Sequence, residues 1–99
     1  MKAESLLKEK RLLWNPQTKL FAVAELKIWK IPKSKDYPRG IKYALFLVCE
    51  GLVIIGFDNH KPKGPHIHLG ENELAYDFKN EEKLIEDFWD LARKAGFEI

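Results

Sequence analysis

Apolar and polar residues alternate along much of the first 57 residues, and a single helical pattern follows near the C-terminus. The alternation is clearest between Leu20 and Ile28, where every second residue is apolar. Successive side chains of a strand point to opposite faces, so this pattern predicts half-buried β-strands. The chain is therefore expected to form a run of strands followed by one helix.

Turn-forming residues divide the first part of the chain into separate strands. The predicted strands are residues 5–14, 19–29, 41–49, 52–57, 66–69 and 74–78. A helix remains an alternative for the first, and the last two are short enough to be edge strands or extended connections. Residues 15–18 and the pair Glu50 and Gly51 predict the turns of two hairpins. The two prolines and the glycine of residues 32–40 predict a loop between these hairpins.

Residues 80–95 carry the helical pattern. Asn80 is a favourable N-cap, Glu81 and Glu82 suit the positive end of the helix dipole, and Gly96 favours termination. The apolar residues that recur at helical spacing are Leu84, Ile85, Phe88, Leu91, Ala92 and Ala95. We therefore predict an α+β fold, in which an antiparallel β-sheet built from hairpins has a C-terminal α-helix packed on one face.

A chain of 99 residues is long enough for one hydrophobic core and too short for two, so we predict a single domain over residues 1–99. The longest apolar stretch, residues 44–57, is interrupted and falls short of the ~20 residues of a membrane helix. The first residues turn acidic before any apolar run, which predicts no signal peptide. The only cysteine, Cys49, cannot form an internal disulfide. These features predict a cytoplasmic protein without a membrane partner.

Charge is distributed unevenly along the chain. Residues 1–70 hold 13 Lys and Arg against 6 Asp and Glu, whereas residues 71–99 hold 4 against 9. This asymmetry is typical of a basic surface that faces a polyanion, or of an acidic helix neutralised by neighbouring strands. The candidate RNA-binding residues, which combine positive charge with stacking surface, are Lys61, Lys33, Lys35, Arg39, Trp29 and Tyr37. An ordinary lysine-rich loop is the alternative.

All three histidines of the chain, His60, His66 and His68, lie within nine residues. Turn-forming residues surround them, which predicts an exposed segment of the kind that often carries a site. If residues 66–68 are extended, His66 and His68 project from one face while Ile67 points into the core. Two imidazoles on one face can serve as a general acid and a general base, or as two metal ligands.

The residues around the histidines complete a candidate active site. The candidate catalytic residues are His66, His68, His60, Lys63 and Glu71. Lysine side chains would stabilise charge developing on a phosphate, and Glu71 could orient an imidazole. Asp58 and Asn59 could simply form a turn. Surface or packing roles are the alternative for each residue.

Other chemistries are less favoured by the sequence. The chain has no glycine-rich phosphate loop, no nucleophile elbow and no Cys-x-x-Cys pair, which disfavours P-loop hydrolysis, serine-hydrolase chemistry and a thiolate zinc site. Three histidines with one carboxylate could complete a tetrahedral metal site. We expect no metal or other cofactor, since Lys61 and Lys63 would repel a dication.

The segments Phe57-Asp58-Asn59-His60, Lys63-Gly64, His66-Ile67-His68, Gly70-Glu71, Tyr76-Asp77-Phe78, Leu84 and Asp87-Phe88 resemble the C-terminal signature of TumE-like toxins. Upstream segments, such as Ile28-Trp29-Lys30-Ile31-Pro32, are similar to the same family. Pro65 and Ile67 stand where the family often has an acidic residue and an arginine. The resemblance implies a small cytoplasmic toxin that acts on RNA or translation and is encoded beside a helix-turn-helix antitoxin.

These observations together predict a toxin of the endoribonuclease class that works without a metal. An RNA 2′-hydroxyl would attack the adjacent phosphorus, with one of His66 and His68 as base and the other as acid. The expected partners are RNA, free or on the ribosome, and the cognate antitoxin. One alternative is a non-catalytic module that binds nucleic acid or protein. Another is a zinc-binding protein that uses the histidine cluster.

Overall fold

A computed structural model describes residues 3–61 and 63–99 of the chain. Its elements in chain order are β1 (Glu4–Asn15), β2 (Leu20–Lys30), β3 (Ile41–Cys49), β4 (Leu52–Asp58), β5 (His66–Leu69), β6 (Asn72–Ala75) and α1 (Glu81–Lys94). Within this part of the chain the strands form one sheet in the order β1-β2-β3-β4-β5-β6. Each strand pairs antiparallel with the next, which confirms the predicted α+β fold.

The first two hairpins form at the predicted turns. The Asn15 side-chain oxygen accepts hydrogen bonds from the backbone N–H groups of Gln17 and Thr18, at 3.0 and 3.2 Å. Glu50 and Gly51 both have positive φ, 51° and 75°. Two successive residues of this kind match the right-handed twist of adjacent strands, so the β3–β4 connection can be very short.

The last strand differs from its prediction over residues 74–78. β6 lies earlier in the chain, and Tyr76 and Phe78 follow it in the connection to the helix, outside any strand. The Tyr76 ring packs edge-on against Phe57, with centroids 5.1 Å apart, and Phe78 lies 5.2 Å from Tyr43. These aromatic residues therefore contact the core in the connection to the helix rather than by strand alternation.

Helix α1 begins as predicted, because the Asn80 side chain accepts a hydrogen bond from the Lys83 N–H at 2.8 Å. Its buried residues are Leu84, Phe88 and Ala92. Ala95, predicted as part of the apolar face, is an exposed C-cap residue. Among residues 3–61 and 63–99, no helix is long and apolar enough to cross a membrane.

The two faces of the sheet have different environments. Helix α1 covers one face, where the ring of Phe88 lies 6.1 Å from that of Phe57 in β4. Alternate residues of each strand lie on the opposite face, which we call the open face. Its central members include Lys42, Ala44, Phe46, Gly56 and Asp58. The candidate site lies on this open face.

Candidate functional site

Three side chains of β4 and β5 converge on the open face. Asp58 is paired across the ladder with His66, and His68 follows two residues later on the same face of β5. The Nε2 atoms of His66 and His68 are 3.0 Å apart. The carboxylate oxygens of Asp58 lie 3.2 Å from His66 Nε2 and 3.9 Å from His68 Nε2. We call these three residues the Asp-His-His cluster.

A backbone contact orients the first imidazole of the Asp-His-His cluster. His66 Nδ1 lies 2.7 Å from the carbonyl oxygen of Gly64, whose backbone has a φ of 74°. Because a carbonyl oxygen only accepts hydrogen bonds, this contact assigns a proton to Nδ1. In the neutral ring the lone pair is then on Nε2, which faces His68 and Asp58.

The two imidazoles differ in exposure. His66 is buried at 7% relative accessibility, whereas the His68 side chain keeps 31% of its surface exposed. The prediction of an exposed histidine segment is therefore wrong for His66. β5 is an interior strand, because β6 pairs along its outer edge and Ala75 lies opposite His66. The Asp58 side chain is 18% exposed, so solvent reaches the Asp-His-His cluster from one side.

Lys63 and Glu73 form an ion pair beside the Asp-His-His cluster. Lys63 Nζ lies 3.0 Å from each carboxylate oxygen of Glu73, which is directly opposite His68 in the β5–β6 ladder. The hydrogen bond from Lys63 holds the pKa of Glu73 below its ordinary value, against partial desolvation, and the neighbouring imidazoles act in the same direction. Lys63, Glu73 and His66 also line one shallow depression of about 430 Å³.

Sequence reasoning selected Glu71 as the acidic partner of the histidines, and the structure places it in the β5–β6 turn. Within the described residues, Glu71 makes no ion pair and no side-chain hydrogen bond. The carboxylates next to the imidazoles are instead Asp58 and Glu73. Strand pairing could have identified Glu73, because a two-residue turn after Leu69 places it opposite His68.

Tyr43 lies in the hydrophobic core on the helix-covered face of the sheet, and its hydroxyl group is a further buried polar group. It is buried and has no hydrogen-bond partner among the described residues. Burial raises the pKa of Tyr43, and the negative charge of Asp58 raises it further. Tyr43 therefore stays protonated and uncharged near neutral pH.

His60 and several candidate RNA-binding residues lie together in a separate groove. This groove, about 520 Å³ in volume, includes Trp29, Tyr37, Lys42, His60 and Lys61 in its lining, and we call it the loop groove. The Lys61 N–H donates a hydrogen bond to the Tyr37 hydroxyl at 3.3 Å, which connects the segment after β4 to the loop after β2. The His60 N–H donates to Asp58 at 3.1 Å. This hydrogen bond links the loop groove, which His60 lines, to the Asp-His-His cluster.

The remaining predicted RNA-binding residues have two different environments. Lys33 and Lys35 are exposed in the loop after β2. Arg39 donates a hydrogen bond to the backbone carbonyl of Lys79, and its guanidinium lies 5.6 Å from the centre of the Phe78 ring. Arg39 therefore connects this loop to the segment that precedes α1.

The loop groove and the Asp-His-His cluster share the open face. Lys42 of the groove and Ala44 lie on the same face of β3, and Ala44 is paired with Asp58. The acidic residues of α1, including Glu82 and Glu86, belong to the opposite side of the sheet. The basic and aromatic lining of the loop groove thus lies on the same side of the sheet as the histidines, away from the acidic helix.

The fold and this constellation define a small sheet-and-helix protein with paired imidazoles on the open face of its sheet. The family model of the toxin TumE matches residues 7–95. The chain therefore belongs to the TumE toxin family and is the toxin component of a toxin–antitoxin system, with a cognate antitoxin as partner. Comparisons with curated proteins and with solved structures gave no match.

Proposed function

We propose that this toxin is a cytoplasmic endoribonuclease whose active site is the Asp-His-His cluster. The observation that carries this proposal is the convergence of two imidazole Nε2 atoms and one carboxylate at 3.0–3.9 Å on the open face. A phosphodiester bound there would lie next to two imidazoles, which can act as general base and general acid, and next to the Asp58 carboxylate. The cognate antitoxin, of the helix-turn-helix type in this proposal, would block access to that face.

The proposed reaction is transesterification without a metal. His66 Nε2 accepts the proton of an RNA 2′-hydroxyl as its oxygen attacks the adjacent phosphorus. The bond from phosphorus to the 5′-oxygen breaks, and protonated His68 donates a proton to that oxygen. The products are a 2′,3′-cyclic phosphate and a 5′-hydroxyl. Asp58 stabilises the imidazolium that forms on His66, at 3.2 Å.

Substrate entry requires the Asp-His-His cluster to open, because 3.0 Å between the two Nε2 atoms leaves no room for a phosphate. His68 is the residue that moves in this proposal, since it is partly exposed whereas His66 is buried. Lys63 then stabilises charge on the phosphate from the depression that it shares with His66. His60 and Glu71 are the further catalytic candidates in this proposal.

The RNA path follows from the distribution of charge and aromatic surface. Trp29 and Tyr37 in the loop groove offer stacking surfaces for bases, and Lys61 offers a phosphate contact. Lys33 and Lys35 extend the positive surface outward from that groove. The acidic helix on the other side of the sheet repels the phosphate backbone. The substrate is RNA in this proposal, either free or bound to the ribosome.

The experiment that tests this proposal measures growth arrest and RNA cleavage for the same three proteins. Wild type, His68→Ala and the helix variant Lys94→Ala are induced alone and together with the neighbouring antitoxin, and each is purified and incubated with RNA. We expect arrest and cleavage by wild type and Lys94→Ala, rescue by the antitoxin, and neither effect from His68→Ala. Arrest with tight RNA binding but no cleavage by wild type would instead favour a non-catalytic binding module.

A further inference from the structure

The donor atoms of the Asp-His-His cluster have the spacing of a metal coordination shell. The two Nε2 atoms and the Asp58 oxygens lie 3.0, 3.2 and 3.9 Å from one another. Ligands at 2.0–2.1 Å from a tetrahedral zinc ion are separated by about 3.3 Å along each edge of the tetrahedron. The 3.2 Å distance is to Asp58 Oδ1 and the 3.9 Å distance to Asp58 Oδ2, and one donor atom from each of the three side chains lies within 4.8 Å of the other two. One ion between the three side chains would thus need only small side-chain adjustments.

The chemistry of these donors also suits a transition metal. Imidazole nitrogen combined with carboxylate oxygen is a ligand set typical of zinc and other divalent ions of the first row, whereas magnesium prefers oxygen ligands alone. His66 donates its Nδ1 proton to the Gly64 carbonyl, at 2.7 Å. This outer contact is the one that metal-binding histidines usually make, because it directs the Nε2 lone pair at the ion.

The lysines near the histidines do not oppose a cation in the folded protein. Both charged oxygens of Glu73 hold Lys63 Nζ at 3.0 Å. Lys61 Nζ lies 3.8 Å from Asp36 at the loop groove. Each positive charge therefore has a carboxylate partner, and Asp58 adds a negative charge within the Asp-His-His cluster. The repulsion on which the sequence-based expectation of no metal rested is thereby reduced.

We propose that Asp58, His66 and His68 bind one zinc ion, and that the bound ion switches off the acid–base reaction. Solvent reaches His68 and Asp58, which leaves a fourth coordination position for water, as in zinc sites with three protein ligands. The ion occupies the Nε2 lone pairs, so neither imidazole can accept or donate a proton while it is bound. The inhibition rests on the proposed function, whereas the site itself does not.

The first test measures zinc binding directly. Full-length protein is stripped with a chelator, dialysed and titrated with Zn²⁺ by calorimetry, and with Co²⁺ by visible absorption. We expect one ion per chain and the intense visible bands of low-symmetry Co²⁺. His68→Ala should bind more than about 100-fold more weakly, since even changes to outer contacts cost about 10- to 100-fold. His60→Ala, which removes a histidine of the same segment outside the cluster, should bind as wild type does.

Folding of each variant is checked by circular dichroism and thermal melting. Asp58→Asn is a second variant of similar size, for use if His68→Ala does not fold. Unchanged affinity in a folded His68→Ala or Asp58→Asn protein, or an equal reduction in His60→Ala, would overturn the zinc site. Failure of wild type to bind Zn²⁺ would overturn it as well.

A second test separates the zinc site from the nuclease proposal. RNA cleavage is measured with the stripped protein in chelator, and again after stoichiometric Zn²⁺ is added. Cleavage that Zn²⁺ suppresses supports both proposals, whereas cleavage by a protein that binds no zinc overturns only the zinc site. His68-dependent binding with no cleavage in either condition supports the site and overturns the nuclease proposal. Cleavage that requires Zn²⁺ supports the site and overturns both the inhibition and the metal-independent mechanism.

Discussion

Gly56 of β4 lies directly opposite His68 of β5, and the ring of Phe46 occupies the space where a side chain at Gly56 would project. A Cβ atom at this position would lie 2.6 Å from Phe46 Cε1 and 3.4 Å from His68 Cδ2. The glycine thus allows an aromatic ring to pack beside the partly exposed imidazole.

Gly56→Ala should therefore disturb both packing and site geometry. We expect the free energy of unfolding to fall by about 1–3 kcal/mol, because the Phe46 ring must move. Urea denaturation measures that decrease, and the cleavage assay reports any shift of His68. The double variant Gly56→Ala/Phe46→Leu is the matched control, since it removes the clashing ring. If the double variant is no more stable than Gly56→Ala, the proposed clash is not the cause.

The two imidazoles should differ in their effect on stability. His66 is buried and bonded to the Gly64 carbonyl, so His66→Ala should cost about 1–3 kcal/mol. His68→Ala should cost less than about 1 kcal/mol, because His68 is partly exposed. Both substitutions should abolish toxicity. Unfolding curves and growth assays together distinguish these effects, and a double variant with full toxicity would rule out a catalytic role for the histidines.

The loop lysines should control RNA affinity. Lys33→Glu with Lys35→Glu should weaken binding and flatten its salt dependence, by about 0.7 in log–log slope for each phosphate of single-stranded RNA that the protein no longer neutralises. Arg39→Glu should in addition loosen the interaction with Lys79. Fluorescence anisotropy over a range of salt concentrations measures these effects.

The helix supplies a matched control for these charge changes. Glu82 and Glu86 lie on α1, away from the open face, so replacing both with Gln should change RNA affinity little. A strong effect of the helix variants combined with no effect of the loop variants would contradict the proposed RNA path. A protein partner for the lysine loop would then be the better hypothesis.

Asp87 should make the fold sensitive to acid. Its carboxylate accepts a hydrogen bond from the Tyr76 hydroxyl at 2.7 Å and lies 2.9 Å from Lys83 Nζ. Partial burial raises the pKa of Asp87, but the contacts with Lys83 and Tyr76 outweigh it and leave the pKa below its ordinary value. A carboxyl group with a lowered pKa stabilises the fold above the ordinary pKa of Asp, and this contribution disappears as the pH falls through the lowered value.

Asp87→Asn should thus cost about 1 kcal/mol at neutral pH and make stability less dependent on pH below the ordinary pKa of Asp, about 3.9. Urea denaturation at several pH values measures both effects. Asp90→Asn is the control, since among residues 3–61 and 63–99 Asp90 pairs only with exposed Arg93, at 3.1 Å, and surface pairs contribute about 0–1 kcal/mol. Equal acid sensitivity in wild type and Asp87→Asn would show that another group is responsible.

The sequence predicted most of the sheet, because alternation between Leu20 and Ile28 gives the two faces of β2 different chemistry. The helix was equally clear, since Asn80 caps an apolar stripe at helical spacing. Tyr76 and Phe78 fall in a segment predicted to be either an edge strand or an extended connection, and the structure places them in the connection to the helix. Their aromatic contacts with Phe57 and Tyr43 form only when distant parts of the chain meet.

The candidate site was predicted only in part for a related reason. The spacing of His66 and His68 was sufficient to place both on one face. Asp58 could not be recognised as their neighbour, because the connection from β4 to β5 is too long to fix which residues pair. The burial of His66 also depends on β6 pairing along the outer edge of β5, and the predicted strand over residues 74–78 did not give this register.

The central claim, that the Asp-His-His cluster cleaves RNA, is tested most directly by the ends of the products. Metal-free wild type and His68→Ala are incubated with one RNA of defined sequence, and the products are examined by mass spectrometry. The account predicts fragments with 2′,3′-cyclic phosphate ends from wild type, and RNA binding without cleavage by His68→Ala. Equal cleavage by the two proteins, or no cleavage by a wild-type preparation that arrests growth, would contradict it.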